Sequence, residues 1–146
     1  MKCSKCEPCE VVNVARILSL HAEAQILSLL QIILERAGHE HLSTTQSRTA
    51  LDILYKENID LFIQNLMRTD INGCEFYAMM QEDKHLQKIP VLIISSINPL
   101  IYPELCFHVI RDLYPNRYLL MPFSPQQLVA IINRILSETA TSPPAH

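Results

Sequence analysis

The chain has 146 residues, of which 49% are hydrophobic and 18% are charged, and its formal net charge is -3 at pH 7. This length and composition are typical of one globular domain with a full core. The mildly negative charge argues against a general nucleic-acid binder, because phosphate contacts require clustered Lys and Arg. No apolar stretch approaches the roughly 20 residues of a membrane span. The polar start of the chain is unlike a secretory signal, so we expect a cytoplasmic protein without a membrane partner.

The two ends of the chain differ in composition from its interior. Residues 1–12 are polar and rich in cysteine, which predicts a flexible N-terminal tail. Residues 139–146 are rich in Thr, Ser and Pro and predict a disordered C-terminal tail. A single domain is therefore expected over residues 13–138.

Strand and helix patterns alternate through this interior. Short apolar runs predict strands over residues 16–20, 39–44, 61–65, 91–95 and 117–120. Helical spacing predicts helices over residues 26–37, 45–54, 74–81 and 104–113, and a last helix from Pro125. Gly38 is expected to end the first helix, and Thr45 or Ser47 to cap the second.

This alternation predicts an α/β fold with five parallel strands covered by five helices on both faces. The flavodoxin-like, doubly wound strand order 2-1-3-4-5 is the expected one. In such sheets the functional crevice lies at the carboxyl ends of the strands. Those ends hold His21, Asn65, Ser95 and Met121.

Four segments, in their order and spacing, point to a known family. They are 15–18 with 35–39, 60–65 with Asn72-Gly73, 89–95, and 118–123. Over residues 14–137 the chain resembles the response-regulator receiver domains of bacterial two-component signalling.

In that family an acidic pair and an aspartate bind Mg²⁺, the aspartate accepts a phosphoryl group, and a lysine and a Ser or Thr hold it. The resemblance places the acidic pair at His21 and Ala22, the acceptor at Asn65 and the lysine at Met121. Ser95 keeps the family's residue type. An amide is a poorer nucleophile than a carboxylate and brings no charge to hold a cation. Magnesium is therefore not expected at this degenerate site, and no other cofactor is expected there.

The resemblance implies a phosphorylation-independent pseudo-receiver, which is a binding module and not an enzyme. It implies a partner that is another signalling protein, or a second copy of the chain. The partner would bind the face formed by the fourth helix, fifth strand and fifth helix. Tyr118, Tyr102 and Phe123 are the predicted switch and interaction residues.

Two other uses of the same crevice stay open. Glu23 lies beside the degenerate pair, so an atypical phosphoacceptor could use Glu23 or Ser95. A hydrolytic site at His21 and Ser95 would also need an acid and an oxyanion hole, which the sequence does not identify.

The cysteine tail carries a separate hypothesis. Cys3, Cys6 and Cys9 are spaced to wrap a zinc ion or part of an iron–sulfur cluster, which would make the protein a metal or redox sensor. A closed zinc site requires a fourth ligand that no nearby histidine supplies. The odd total of five cysteines does not predict a disulfide framework.

Overall fold

The computed structural model describes residues 14–66, 73–101 and 107–141. The five strands of this part are β1 (Arg16–Leu20), β2 (Glu40–Thr44), β3 (Leu61–Gln64), β4 (Val91–Ser95) and β5 (Tyr118–Leu120). The five α-helices are α1 (Ala24–Arg36), α2 (Ser47–Lys56), α3 (Gly73–Gln81), α4 (Phe107–Leu113) and α5 (Pro125–Thr141). A short 3₁₀ turn, Leu86–Lys88, precedes β4.

The strands form one sheet in the order β2-β1-β3-β4-β5, and every pairing is parallel. This confirms the predicted flavodoxin-like topology. All five residues of β4 are buried, as expected of an inner parallel strand covered on both faces. The edge strand β2, in contrast, has no fully buried residue.

The core has two layers because successive strand residues point to opposite faces of the sheet. Leu18 and Phe62 face the layer beneath α2, α3 and α4. Ile17 and Ile63 face the layer beneath α1 and α5. The sheet thus holds the carboxyl ends of its strands at fixed spacing, which positions the predicted crevice.

The predicted C-terminal end of α1 is correct, whereas the predicted N-cap of α2 is wrong. Gly38 has a positive φ of 92° and follows α1, as predicted for a glycine stop. The cap of α2 is Gln46 rather than Thr45 or Ser47, and Ser47 is already the first residue of the helix. The backbone N–H of Gln46 donates a hydrogen bond to Thr44 Oγ1, two residues earlier, at 3.1 Å.

The last helix is longer than predicted. Residues 139–141 were assigned to a disordered tail, but α5 continues through them to Thr141. Thr139 Oγ1 donates to the Leu136 carbonyl at 3.0 Å, which satisfies the hydroxyl inside a helical turn. The predicted tails at 1–12 and 142–146 lie outside the described residues. Within the described ranges, no helix is both long enough and apolar enough to span a membrane.

Cys74, at the start of α3, is disulfide-bonded. It is the one cysteine in the described ranges. The sequence argues against a disulfide framework, and one disulfide-bonded cysteine does not contradict that expectation.

A half-buried histidine connects β1, β2 and α1. His41 contacts Ser19 Oγ through Nε2 at 2.8 Å and Gln31 Oε1 through Nδ1 at 2.6 Å. A neutral ring protonated on Nδ1 satisfies both contacts, because the amide oxygen can only accept and the hydroxyl can donate. Burial lowers the pKa of His41 from 6.5 to about 4, against an opposing effect of Glu35.

We expect this histidine to make the domain less stable in mild acid. The folded state binds the His41 proton more weakly than the unfolded chain, so stability falls as the pH drops from about 6.5 towards 4. Allowing for the partial exposure of the ring, the loss is about 1–2 kcal/mol in the free energy of unfolding. Urea denaturation at pH 7, 6 and 5 measures it.

The contribution of His41 is separated from that of the carboxylates by substitution. His41→Gln keeps a donor and an acceptor but does not titrate, so its stability should fall less between pH 7 and 5. His85 is exposed, and His85→Gln is the matched control that should retain the wild-type slope. An unchanged slope in His41→Gln would contradict the prediction.

Candidate functional site

The carboxyl ends of the strands bring the predicted residues to one edge of the sheet. His21 follows β1, Asn65 follows β3, Ser95 ends β4 and Met121 follows β5. Neighbouring strand ends remain hydrogen-bonded: Asn65 N donates to Leu20 O at 3.3 Å, and Met121 N donates to Ser95 O at 2.8 Å. Side chains that are far apart in the sequence therefore share one crevice.

His21 and Asn65 form a buried contact at the centre of this crevice. The His21 Nε2 atom lies 2.7 Å from the Asn65 amide nitrogen. Both side chains are buried, with exposed fractions of 5% and 9%. The imidazole thus lies directly against the side chain at the position to which the resemblance assigns the phosphoacceptor.

The protonation of this pair follows from its second hydrogen bond. The Glu23 backbone N–H donates to His21 Nδ1 at 3.1 Å, so Nδ1 carries no proton. The neutral ring then carries its proton on Nε2 and requires an acceptor. The oxygen and nitrogen of an amide are assigned from their contacts, so the consistent orientation of Asn65 presents Oδ1 to His21. The resulting contact joins two uncharged groups.

Glu23, the acidic residue next to this pair, caps helix α1 through its backbone. Glu23 is exposed and is the N-cap of α1, where its carbonyl accepts from the Ile26 and Leu27 N–H groups. Ala22 is exposed as well. In the described ranges, no three His, Cys, Asp or Glu side chains cluster as metal ligands would.

Met121 occupies the position that the resemblance assigns to a lysine. Its side chain is half-buried and packs against the apolar layer beneath α1 and α5. The Met121–Pro122 peptide bond is cis. A thioether brings no positive charge to an incoming phosphoryl group.

Ser95 and Tyr118 are linked through one residue of the following loop. Ser95 is buried, and its Oγ accepts from the Ile97 N–H at 3.0 Å. Tyr118 is buried too, and its hydroxyl donates to the Ile97 carbonyl. Burial raises the pKa of Tyr118 above its usual value, the Ser95 hydroxyl opposes this shift, and Tyr114 adds to it. The edge of the Tyr114 ring meets Tyr118 at a centroid distance of 5.6 Å.

Of the predicted interaction residues, Tyr118 and Phe123 are therefore not both displayed on the surface. Tyr118 faces the core, and Phe123 is half-buried against the layer beneath α1 and α5. Tyr102 lies outside the described residues. Among the described residues near the α4, β5 and α5 face, Leu100, Ile101 and Leu120 are exposed apolar side chains, with exposed fractions of 73%, 64% and 41%.

Two residues beside Asn65 have structural roles that the sequence reading did not assign. Gln64 is fully buried, and neither side-chain polar atom has a hydrogen-bond partner in the described part of the chain. In the sequence, the signal for this buried amide was a polar residue within the otherwise apolar strand β3. Gly73 begins α3, and its N–H donates to the Leu66 carbonyl at 2.9 Å. A Cβ at Gly73 would stand 2.4 Å from the Asn65 carbonyl oxygen, so the helix approaches the strand end at backbone distance.

The structure bears on the hypothesis of a hydrolytic site but not on that of a cysteine metal site. The contacts above engage both ring nitrogens of His21 with Glu23 and Asn65, and Ser95 Oγ with Ile97, which is not the arrangement of a nucleophile and its base. The cysteine hypothesis rests on positions 3, 6 and 9, which lie outside the described residues. It stays a prediction.

No protein-family model matches the chain. The probable transcriptional regulator ycf29 of Pyropia yezoensis is 32% identical over 88 residues, covering 60% of this chain and 38% of that protein. The alkaline phosphatase synthesis transcriptional regulatory protein PhoP of Bacillus subtilis is 25% identical over 130 residues, covering 89% of this chain and 52% of that protein. The chain thus spans about half, or less, of the length of these curated relatives.

Solved structures match over nearly the whole described fold. The chemotaxis response regulator CheY4 of Vibrio cholerae has a TM-score of 0.73 at 20% identity, covering 84% of this chain and 99% of that one. The signal receiver domain of a signal transduction histidine kinase from Syntrophus aciditrophicus has a TM-score of 0.77 at 18% identity, covering 91% and 98%. These matches confirm the fold that was inferred from the sequence.

Proposed function

We propose that this chain, which has the fold of a response-regulator receiver domain, is a two-component signalling module that works without phosphorylation of its acceptor position. It acts by binding another protein of the pathway. The observation that carries the proposal is the buried contact of 2.7 Å between His21 and Asn65.

The chemistry of that contact supports the proposal. Phosphoryl transfer to a receiver depends on charge: a nucleophilic carboxylate, a divalent cation and a lysine that together stabilise the transferring group. Here an uncharged imidazole is hydrogen-bonded to an uncharged amide. Met121 stands at the position that the resemblance assigns to the lysine, so the positive charge of that side chain is missing. Binding a hydrated Mg²⁺ would require breaking the buried pair and would offer the ion no carboxylate from positions 21, 22 or 65.

The switch residues are held in one arrangement without a phosphoryl group. Ile97 accepts from the Tyr118 hydroxyl and donates to Ser95 Oγ, so one backbone unit fixes both side chains. Rotating Tyr118 outward would break its hydrogen bond and expose a buried ring. This contact supports a domain that presents one surface constitutively.

The proposed partner surface is the face of α4, β5 and α5. Leu100 and Ile101 are exposed in a turn that Asn98 holds, since Asn98 Oδ1 accepts from the Leu100 N–H at 2.9 Å. Leu120, at the end of β5, is also exposed. Exposed apolar side chains near this loop favour a protein partner, either a signalling protein or a second copy. A bacterial, cytoplasmic setting without nucleic-acid contact, enzymatic activity or a bound cofactor is part of the same proposal.

The test is a titration of the ¹⁵N-labelled protein with beryllofluoride and Mg²⁺. This mimic of an acyl phosphate needs a carboxylate and a cation, so we expect no saturable amide shifts around Asn65 and Ser95. A saturable shift that spreads to Tyr118 would contradict the proposal. Radiolabel transfer from acetyl phosphate to Glu23 or Ser95 would favour the atypical phosphoacceptor instead.

A restored site is the positive control. Asn65→Asp alone should stay unresponsive, because the acidic pair and the lysine are still missing. The variant expected to respond carries His21→Asp, Ala22→Asp, Asn65→Asp and Met121→Lys. If Asn65→Asp responds by itself, the neighbouring substitutions are not what inactivates the site.

A further inference from the structure

The edge of the sheet at which the strands begin, opposite the candidate crevice, carries a groove that the proposed function does not use. One part has a volume of about 420 Å³ and lies at the starts of β1, β3 and β4, beside the end of α5. A second part, of about 230 Å³, continues to the start of β5. Lys88, Pro90 and Thr139 line both parts, so the two form one depression across this edge.

The larger part of the groove is lined mostly by apolar side chains. Ile59, Pro90 and Leu136 contribute to its walls, and Ala15 lies at its β1 end. Val14 also lines it and has an exposed fraction of 72%. An apolar lining that leaves a valine exposed favours a peptide segment with apolar side chains over a small charged ligand.

The groove also offers a positive charge at the start of β4. Lys88 is exposed and has no salt bridge within the described part of the chain. The other cation that lines the groove, Arg117, is paired with Glu138 at 3.4 Å. Asp60 is engaged as well, since its Oδ2 accepts from the Arg16 N–H at 2.8 Å. An occupant with an acidic side chain near β4 would therefore complement Lys88.

We propose that residues 9–13, which directly precede the described fold, occupy this groove and pass from β1 towards β4. Their sequence is Cys-Glu-Val-Val-Asn, which combines two valines with one acidic side chain. Val12 covers the apolar part beside Ile59, and Glu10 meets the Lys88 ammonium group. This docking goes beyond the proposed function and does not depend on it.

The length of the segment matches the distance that it crosses. Neighbouring strands lie about 4.8 Å apart, and β3 separates β1 from β4, so the starts of β1 and β4 are about 10 Å apart. An extended chain advances about 3.3 Å per residue, so the four steps from Val14 back to Glu10 span up to about 13 Å. Glu10 thus reaches Lys88 while the valines stay over the apolar part.

Covalent attachment favours this segment over another occupant. Val14 lines the groove, so the residues joined to it are held beside the groove whatever their conformation. A segment on such a short tether has an effective concentration in the millimolar range. A second copy or an unrelated protein at micromolar concentration would have to displace it.

The test is a measurement of methyl–methyl NOEs in the full chain with ¹³C-labelled methyl groups. We expect NOEs from the Val12 methyls to those of Ile59 or Leu136, because docking brings these side chains into contact at about 4–4.5 Å. The absence of NOEs between residues 9–13 and the groove would overturn the inference. In a mixture of labelled and unlabelled chains, NOEs that pass between molecules would assign the occupant to a second copy and would overturn it too.

Charge reversal tests the pairing of Glu10 with Lys88. Lys88→Glu should weaken the Val12 NOEs at least about twofold, because it places two carboxylates together and lowers the docked population. Lys84→Glu is the matched control, since Lys84 is exposed but does not line the groove, and it should leave these NOEs unchanged. Adding Glu10→Lys to Lys88→Glu should restore them. Equal effects of the two single variants, or no recovery in the double variant, would contradict the inference.

Discussion

Replacing Gly73 with alanine should lower the free energy of unfolding by about 2–4 kcal/mol. The new Cβ would stand 2.4 Å from the Asn65 carbonyl oxygen and 2.7 Å from Leu66 Cα. Both are backbone atoms, so no side chain can rotate away to make room. The end of β3 or the start of α3 must move, which strains the strand end that carries Asn65. Urea denaturation monitored by circular dichroism measures the loss.

The other glycine of the chain is the matched control. Gly38 has a φ of 92°, a left-handed backbone conformation, so Gly38→Ala meets conformational strain. It should cost about 1 kcal/mol, clearly less than Gly73→Ala. The amide spectrum should also differ: Gly73→Ala should shift the resonances of Asn65 and Leu66, and Gly38→Ala should not. Equal losses for the two variants would mean that the strand end yields without strain.

Replacing Gln64 with methionine should raise the free energy of unfolding by about 1–3 kcal/mol. Gln64 is fully buried, and its amide has no hydrogen-bond partner in the described residues. Its strand neighbours in register are Leu20 and Ile93, both buried and apolar. Methionine has nearly the same length and shape as glutamine, so the change removes an unpaired polar group without leaving a cavity.

A glutamine-to-methionine substitution at position 31 should instead lower the free energy of unfolding. The Gln31 amide accepts from His41, so Gln31→Met would leave the half-buried imidazole short of an acceptor and should lower stability. Chemical denaturation of both variants at pH 7 makes the comparison. A loss of stability in Gln64→Met would show that the amide has a partner, such as a buried water, and would reject the prediction.

The sequence determined the architecture because hydrophobic periodicity and turn residues act locally and agree with one another. The apolar run at 91–95 and the helical spacing around Leu30 each indicate one element type, and alternating strands and helices permit few topologies. The composition of the crevice was readable for the same reason. The carboxyl ends of parallel strands always meet at one edge, so His21, Asn65, Ser95 and Met121 had to be neighbours.

Element ends were less predictable, since competing local hydrogen bonds decide them. Thr45 and Ser47 were both reasonable caps for α2, but the helix begins after Gln46. The C-terminal end of α5 passed the predicted boundary by three residues, because Thr139 satisfies its hydroxyl within the helix. Propensity alone does not distinguish between alternatives that differ by a fraction of a kcal/mol.

Only the tertiary structure decided how the crevice residues are used. That His21 bonds to Asn65, that Tyr118 points inward to Ile97, and that Gln64 finds no partner among the described residues all depend on side-chain orientation across strands. The exposure of apolar residues on α1 was likewise decided only by the tertiary structure. The spacing predicts a helix through Leu29 and Ile32, but it does not predict that packing against α5 leaves these two side chains exposed. Periodicity fixes the side of an element on which a residue lies, whereas contacts between elements depend on packing between segments that are distant in the chain.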